Sequence, residues 1–432
     1  MKIAIIGAGF GALAASFDLS QDQQNQIEVI DAQSVPGGMA SGFENQAWDW
    51  SLEEHYHHVF TTDQAFKDFL TDLHLADQLF FKKVKSSTLY QGQIFQIDSP
   101  WSLLRFSKIS LFSRLRTGLV LAFLKILPNG VLLENFQASH FLKQTMGQEA
   151  WQVIWEPLFQ AKFARFKDQI NMAWFWARVH PRSAQLGYVK GGFKRLAELI
   201  VQRLKKAGVH FEFATQVQQI TADENQRLTL TLLKANHQPE KRSYDLVIST
   251  LTAPVFARLI DLPELKSNKL QGLGAMTMLL RLKNKLLKDG TYWLNVNEQN
   301  WPFVAVVEHD NYVSSEHYNQ ESLVYLGRYL EASDPAYRKS VQELLDDYRP
   351  YLQQLSPTFN TDLKEALLFK TPFAQPLSFT QQSRFLPKFE TSVANLYWVC
   401  MQHVYPFDRG INHAIKSARK LAQHVRMKTS VL

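Results

Sequence analysis

A glycine-rich turn between a short apolar strand and a helix, all within the first 31 residues, constrains this chain more than any other stretch. Lys2–Ile6 reads as a buried strand and runs into Gly7-Ala8-Gly9-Phe10-Gly11-Ala12. A helical pattern follows, with Leu13, Ala14, Phe17 and Leu19 apolar, and a second strand, Ile27–Ile30, ends on Asp31. Strand, turn, helix, strand and an acid about 20 residues past the turn make up the dinucleotide-binding fingerprint. Gly7 permits the tight turn. Gly9 lets the backbone approach a pyrophosphate, and the helix N-terminus offers unpaired N–H groups to the phosphates. Asp31 can accept hydrogen bonds from ribose hydroxyls. The third position of the pattern is Ala12, with Gly11 one place early; alanine is tolerated there.

The 432 residues suffice for more than one core, and 46% apolar with 20% charged residues fits a globular protein. A single cysteine, Cys400, excludes an internal disulfide and fits a reducing compartment. The first strand starts at once, so no cleavable leader is expected and a cytoplasmic location is. The net charge of +7 suits anionic ligands or lipid, but no nucleic-acid module is present. No apolar run reaches the length of about 18 residues that a spanning helix needs.

Past Asp31 comes Val35-Pro36-Gly37-Gly38-Met39-Ala40-Ser41. This double glycine resembles the second FAD motif of the flavin amine oxidase and protoporphyrinogen oxidase group, and UDP-galactopyranose mutases carry a similar one. The resemblance implies that FAD is the cofactor and that the backbone of Gly37, Gly38 and Met39 lies at its pyrophosphate. Gly191-Gly192-Phe193, the helix after it, and Val217 with Ile220 are similar to a further element of the same superfamily, in which the valine backbone brackets the adenine. Trp155–Phe159 with Lys162-Phe163 resembles a segment of protoporphyrinogen oxidase-like proteins.

His55, His57 and His58 crowd one short loop. Metal binding, a solvated loop and a flavin-proximal loop are the three readings; no second ligand cluster supports a metal, so none is assigned. UDP-galactopyranose mutases have a similar histidine stretch close to the flavin, which makes His57 and His58 the candidate catalytic residues. A neutral imidazole there can hydrogen-bond the flavin or exchange protons. In residues 101–127, Phe112, Leu115, Leu119, Phe123 and Ile126 share one helical face, punctuated by Lys108, Arg114, Arg116 and Lys125. That is either a core helix of a substrate domain or a basic amphipathic helix in peripheral contact with the inner face of a membrane. The aromatics between Trp151 and Trp176 read as core, some of them walling a pocket. Arg328, Tyr329 and Lys370 are polar groups on strand segments that could face it.

Leu396–Cys400 reads as a last strand, followed by a loop containing Asp408-Arg409-Gly410 and a helix opening at Ile411-Asn412. In the group it resembles, this element completes the flavin site, which implies cofactor contacts for Asp408, Arg409, Gly410 and Asn412. Cys400 or Met401 stands where the group has a glycine, and no covalent cysteinyl flavin is expected.

The expected fold is therefore α/β. A discontinuous Rossmann-like FAD-binding domain takes 1–60, 186–255 and 385–432. A substrate-binding domain of antiparallel sheet with a helical cap takes 61–185 and 256–384. The resemblance implies an FAD-dependent oxidoreductase that moves a hydride from an apolar small-molecule substrate to the flavin. The alternatives are a mutase-like isomerase using reduced flavin, for which Arg165, Arg178, Arg182 and Arg328 could meet a diphosphate, and a non-catalytic flavin-binding protein. The sequence sets neither the oligomeric state nor the electron acceptor.

Overall fold

The apolar runs Lys2–Ile6, Gln26–Ile30 and Leu246–Ser249 are almost wholly buried, the condition under which strands pair in parallel between layers of other structure. In the computed structural model, which describes residues 1–234, 238–267 and 269–429, they join His210–Glu212 and Leu396–Trp398 in a five-stranded parallel sheet. Its order is 210–212, 26–30, 2–6, 246–249, 396–398. Segments far apart in sequence thus build one sheet, with its central strand the first in the chain.

The helix Phe10–Ser20 lies against the last helix, Ile411–Thr429, and Gly11 sets their spacing. A side chain there would put its Cβ 3.2 Å from the Ala414 carbonyl oxygen and 3.6 Å from the Ala418 Cβ. Gly11 therefore serves helix–helix packing, while the fully buried Ala12 fills the space beside the strands.

A second sheet of seven strands runs in the order 363–376, 272–282, 322–330, 305–308, 291–296, 85–90, 93–96. It is antiparallel except where Thr291–Val296 pairs in parallel with Lys85–Tyr90. Above it, helices between Pro100 and Val179 close a separate core of Leu124, Leu142, Met146, Trp151, Phe159, Phe163, Trp174, Phe175 and Trp176. Within this cap, Trp151–Trp155 forms a π-helical turn, and the helix Glu156–Phe163 ends on Ala164 at φ +46°.

The apolar face of Leu111–Ile126 is not core. Phe112, Leu119 and Ile126 are 72%, 73% and 79% exposed, and Leu115 and Phe123 are exposed too. The helix packs instead through Ser113, Thr117 and Leu124, whose small or opposed side chains let it sit close to the cap. Among the described residues no helix is long and apolar enough to cross a membrane. The last strand is also shorter than its sequence suggests: it stops at Trp398, and Cys400 opens a 3-10 turn, Met401–Val404.

Candidate cofactor cradle and substrate cleft

Two glycine turns meet at the carboxyl end of the central strand. The Gly37 N–H donates to the Ala8 carbonyl at 2.9 Å, and Gly9 bridges to Gly37. Gly7 has φ +103°, and any side chain there would run into the Thr250 hydroxyl. Gly38, at φ +59°, would place a Cβ 3.0 Å from the Gly9 Cα, whereas a Cβ on Gly9 would have nothing nearer than 3.8 Å. The two backbones thus face one another across a gap that side chains would fill. Gly9 also starts the helix Phe10–Ser20 without any side-chain cap, leaving its first N–H groups free for an anion. Met39 follows in the single turn Gly38–Ala40 and is half-buried.

Asp31 ties the turns together. Its carboxylate accepts from the Ala8 N–H at 2.6 Å and from the Gln33 N–H at 2.8 Å. Burial raises its pKa, and the two N–H donors oppose the rise. The Thr215 N–H donates to the Asp31 carbonyl at 3.0 Å, which brings the strand Thr215–Ala222 alongside. Val217 is the second residue beyond that contact, at a bulge in the pairing with Leu228–Lys234.

The histidine loop lies at the junction of the two sheets. His55 is held at both ring nitrogens, by Thr277 Oγ1 at 2.8 Å and Thr371 Oγ1 at 2.9 Å. His57 places Nδ1 at 2.6 Å from the His55 carbonyl. A carbonyl only accepts, so Nδ1 carries the proton and Nε2 is left as an acceptor. His58 has a buried Nδ1 with no partner and packs edge-on against Trp293. Burial pushes His57 down to about 4, and burial together with Arg182 pushes His58 down to about 3. Both imidazoles are therefore neutral at pH 7, which favours hydrogen bonding over proton exchange near neutrality.

The 405–410 loop turns its side chains toward the cap. Asp408 Oδ1 accepts from Trp174 Nε1 at 2.8 Å and from Gln375 Nε2 at 2.5 Å. Asp408 Oδ2 lies 3.2 Å from Lys162 Nζ and 3.5 Å from Arg178 Nη1. Burial would raise the Asp408 pKa, but Lys162, Arg409 and Arg178 outweigh it and hold the carboxyl well below the usual range. Arg409 donates to the Tyr329 hydroxyl and, at 3.0 Å, to the Ala374 carbonyl. Burial pushes the Lys162 ammonium down to about 8 against the pull of Asp408. Burial raises the Tyr329 phenol, yet Arg409 and Lys162 overcome that and bring it to about 8. Any contact that Asp408 makes with a cofactor is thus left to its main chain.

Gly410, at φ +138°, and Asn412 open the last helix. The Asn412 Oδ1 accepts from the Phe66 N–H at 3.0 Å, so its side chain anchors the helix. His413 stacks on Phe407 at 3.9 Å with a buried, unpartnered Nδ1.

Several of these groups keep solvent-accessible surface although protein surrounds them densely: Tyr56, His57, His58, Arg182 and Arg409. Lying near one another between the histidine loop, the cap and the last loop, they are the candidate lining of a substrate cleft. Of the polar residues singled out by sequence, Tyr329, Arg178 and Arg182 reach it. Arg328 lies against Tyr348, Arg165 pairs with Glu331 at the surface, and Lys370 binds the carbonyls of Tyr337 and Lys339. Sequence reasoning missed Lys162 as a charged group, along with Gln375 and His413. Alternation along Ser322–Leu330 separates Arg328 from Tyr329, but no local pattern marks the others. One further cluster, Glu28, His210 and Glu212, could share an ion, but Arg242 already bridges both carboxylates.

A sequence profile of flavin-containing amine oxidoreductases matches residues 13–426. No curated protein matches the chain. A proposed protoporphyrinogen oxidase from Exiguobacterium superposes with a TM-score of 0.75 at 15% identity, covering 99% of both chains. Reduced UDP-galactopyranose mutase gives 0.74 at 17% identity over 98% of this chain and 95% of that one. Putrescine oxidase bound to putrescine gives 0.74 at 14% identity over 99% of both. At such identities the likeness is one of fold.

Proposed function

Because the chain belongs to the flavin-containing amine oxidoreductase family, we propose that it is an FAD-dependent oxidoreductase acting on a small molecule in the cleft between cap and sheet. The observation that carries this reading is the pair of facing backbones at Gly9 and Gly38, set at an uncapped helix start and tied by Asp31. That is a cradle for a pyrophosphate with a ribose acceptor beside it.

In this reading Gly7 shapes the turn, and Gly9, Gly37, Gly38 and Met39 line the pyrophosphate with Gly11 and Ala12 behind them. Asp31 takes the ribose and Val217 the adenine. Arg409, Gly410 and Asn412 place the last helix, whose N-terminus stabilises negative charge. The chemistry FAD supplies when bound is acceptance of a hydride and return of two electrons to oxygen or a quinone. His57 Nε2 is the free acceptor that orients the reacting partners, with His58, its Nδ1 buried and unpartnered, next to it in the loop. The aromatic walls, Tyr56 and Trp293 packed edge-to-face at 5.1 Å, keep water away from the apolar part of a substrate.

Peripheral membrane contact belongs to the same proposal. The exposed face of Leu111–Ile126 is flanked by Arg105, Lys108, Arg114, Arg116 and Lys125, and among the described residues none of these five pairs with a carboxylate. Arg114, Arg116 and Lys125 spend their donors on backbone carbonyls. The apolar face thus carries unneutralised positive charge, which fits an anionic lipid surface.

The visible absorption spectrum of the purified protein, with mass spectrometry of whatever denaturation releases, tests the cofactor. A flavin band and free FAD support the reading. A colourless protein that cannot be reconstituted with FAD sinks it.

A further inference from the structure

We propose that Tyr188 is a redox-active tyrosine, with Glu53 as its proton acceptor and Trp50 as its outlet to a one-electron partner at the protein surface. The centre needs no bound flavin, so it stands apart from the cofactor reading.

A cluster of tyrosines is buried behind the histidine loop. Tyr188, Tyr292, Tyr312, Tyr318 and Tyr325 are each 1% exposed or less. Phenylalanine would fill this space without burying a polar oxygen, so packing alone does not call for the hydroxyls. Tyr188 donates to Glu53 Oε2 at 2.7 Å, and Tyr325 donates to the Glu53 carbonyl at 2.8 Å. The Tyr318 hydroxyl lies 3.1 Å from His309 Nε2. Of the five, only Tyr188 bonds a carboxylate.

That carboxylate matters because a phenol that gives up an electron becomes a strong acid. A base fixed at hydrogen-bond distance lets the electron and the proton leave together. Glu53 is such a base. It is 1% exposed, and the Phe193 N–H orients its other oxygen at 2.7 Å. Burial raises its pKa to about 7, so taking up a proton relieves a buried charge.

The path to the surface is short. The rings of Trp50 and Tyr188 lie 14° from parallel with centres 6.4 Å apart, and His317 stacks on Trp50 at 3.8 Å. Trp50 and His317 are only half-buried. Inward, Tyr188 meets Tyr312 at 5.8 Å, and Tyr312 meets Tyr292 at 4.8 Å. A second branch runs through His309 and Tyr325 to Tyr56 beside the histidine loop. Electron tunnelling falls steeply with distance, and ring contacts this close keep every step short.

The step balances within the protein. A one-electron oxidant takes an electron from the Trp50 indole, Tyr188 replaces it, and the Tyr188 hydroxyl proton passes to Glu53 Oε2. The oxidant gains one electron, one phenolic O–H bond breaks and one carboxylic O–H bond forms. A neutral phenoxyl radical remains at Tyr188, and no proton is released.

Pulse radiolysis of the purified protein with the azide radical, which oxidises indoles, tests this at pH 8, where Glu53 is ionised. Trp101→Phe serves as the background, since Trp101 is 63% exposed and would otherwise capture the oxidant. Indolyl absorbance should decay into phenoxyl absorbance at a rate independent of protein concentration. Tyr188→Phe and Trp50→Phe should each remove half or more of the phenoxyl formed, and Glu53→Gln should leave the indolyl radical to persist. Trp50 is half-buried, so its variant stays informative even where a buried substitution unfolds the chain. Undiminished phenoxyl in Tyr188→Phe or Trp50→Phe overturns the inference. So does a transfer rate that scales with protein concentration, or one that Glu53→Gln leaves unchanged.

Discussion

Lys162 Nζ lies 3.2 Å from Asp408 Oδ2, with side chains 3% and 9% exposed, and this contact joins the cap to the loop that leads into the last helix. Removing one partner of a buried pair leaves the other uncompensated, at about 3 kcal/mol or more. Asp408→Asn should therefore lower unfolding free energy by about that amount, measured by urea denaturation. Lys162→Met should do less harm, because Arg178 still faces the carboxylate. Equal losses from the two changes would show that Arg178 does not share the pair.

Tyr329 ionises near 8 when folded and near its ordinary 10 when unfolded. Between those values the unfolded chain holds more protons, so this tyrosine adds stability as pH rises from 8 to 10. The melting-temperature difference between the wild type and Tyr329→Phe should widen across that window. A tyrosinate absorbance step near pH 8 should vanish in the same variant, and a step that survives would belong to another residue.

His57 and His58 titrate near 4 and 3 in the folded protein against an ordinary 6.5. The unfolded chain binds the extra protons, so stability falls as pH drops below about 6.5. Thermal melts from pH 7 to 4 should show this slope, flattened in a His57→Gln/His58→Gln variant. If FAD binds, His57→Ala and His58→Ala should retain it and lose turnover with an identified substrate. Normal turnover in both would remove these residues from the chemistry.

Gly9 offers a clean separation of fold from cofactor. Its φ of −72° suits alanine, and a Cβ there meets nothing closer than 3.8 Å. Gly9→Ala should change stability by less than about 0.5 kcal/mol, yet weaken flavin retention by about tenfold or more because the methyl group occupies the phosphate's approach. Unchanged flavin content would place the pyrophosphate elsewhere.

The cap face predicts co-sedimentation with vesicles rich in anionic lipid. Burying each large apolar side chain is worth about 1.5–3 kcal/mol, so Leu119→Glu with Phe123→Glu should abolish pelleting while leaving melting temperature unchanged. Pelleting that survives the double change would assign the contact to another surface.

The glycine turns were readable from sequence because backbone chemistry alone dictates them. The φ of +103° at Gly7 suits only glycine, the close approach of Gly38 to Gly9 leaves no room for a side chain, and the spacing to Asp31 follows from one strand–helix–strand unit. The outward turn of Leu111–Ile126 was not readable, since periodicity marks a face but not what covers it. The Asp408 cluster was hidden for a different reason. Its partners Lys162, Trp174 and Gln375 stand 246, 234 and 33 positions away. Each is ordinary in its own segment. The family resemblance points to Asp408 as a cofactor contact, and no local pattern shows which groups its carboxylate meets.

The close approach of Gly11 to Ala414 has a consequence for biosynthesis. The helix Phe10–Ser20 meets Phe66, Phe69 and Phe193 through its phenylalanines, but the side that Gly11 presents finds its partner about four hundred residues later. While the chain is still on the ribosome, the glycine turn can form but stays open along one side. The Gly11 side of the helix stays uncovered until the segment around Ala414 and Ala418 has been made and has folded back onto it.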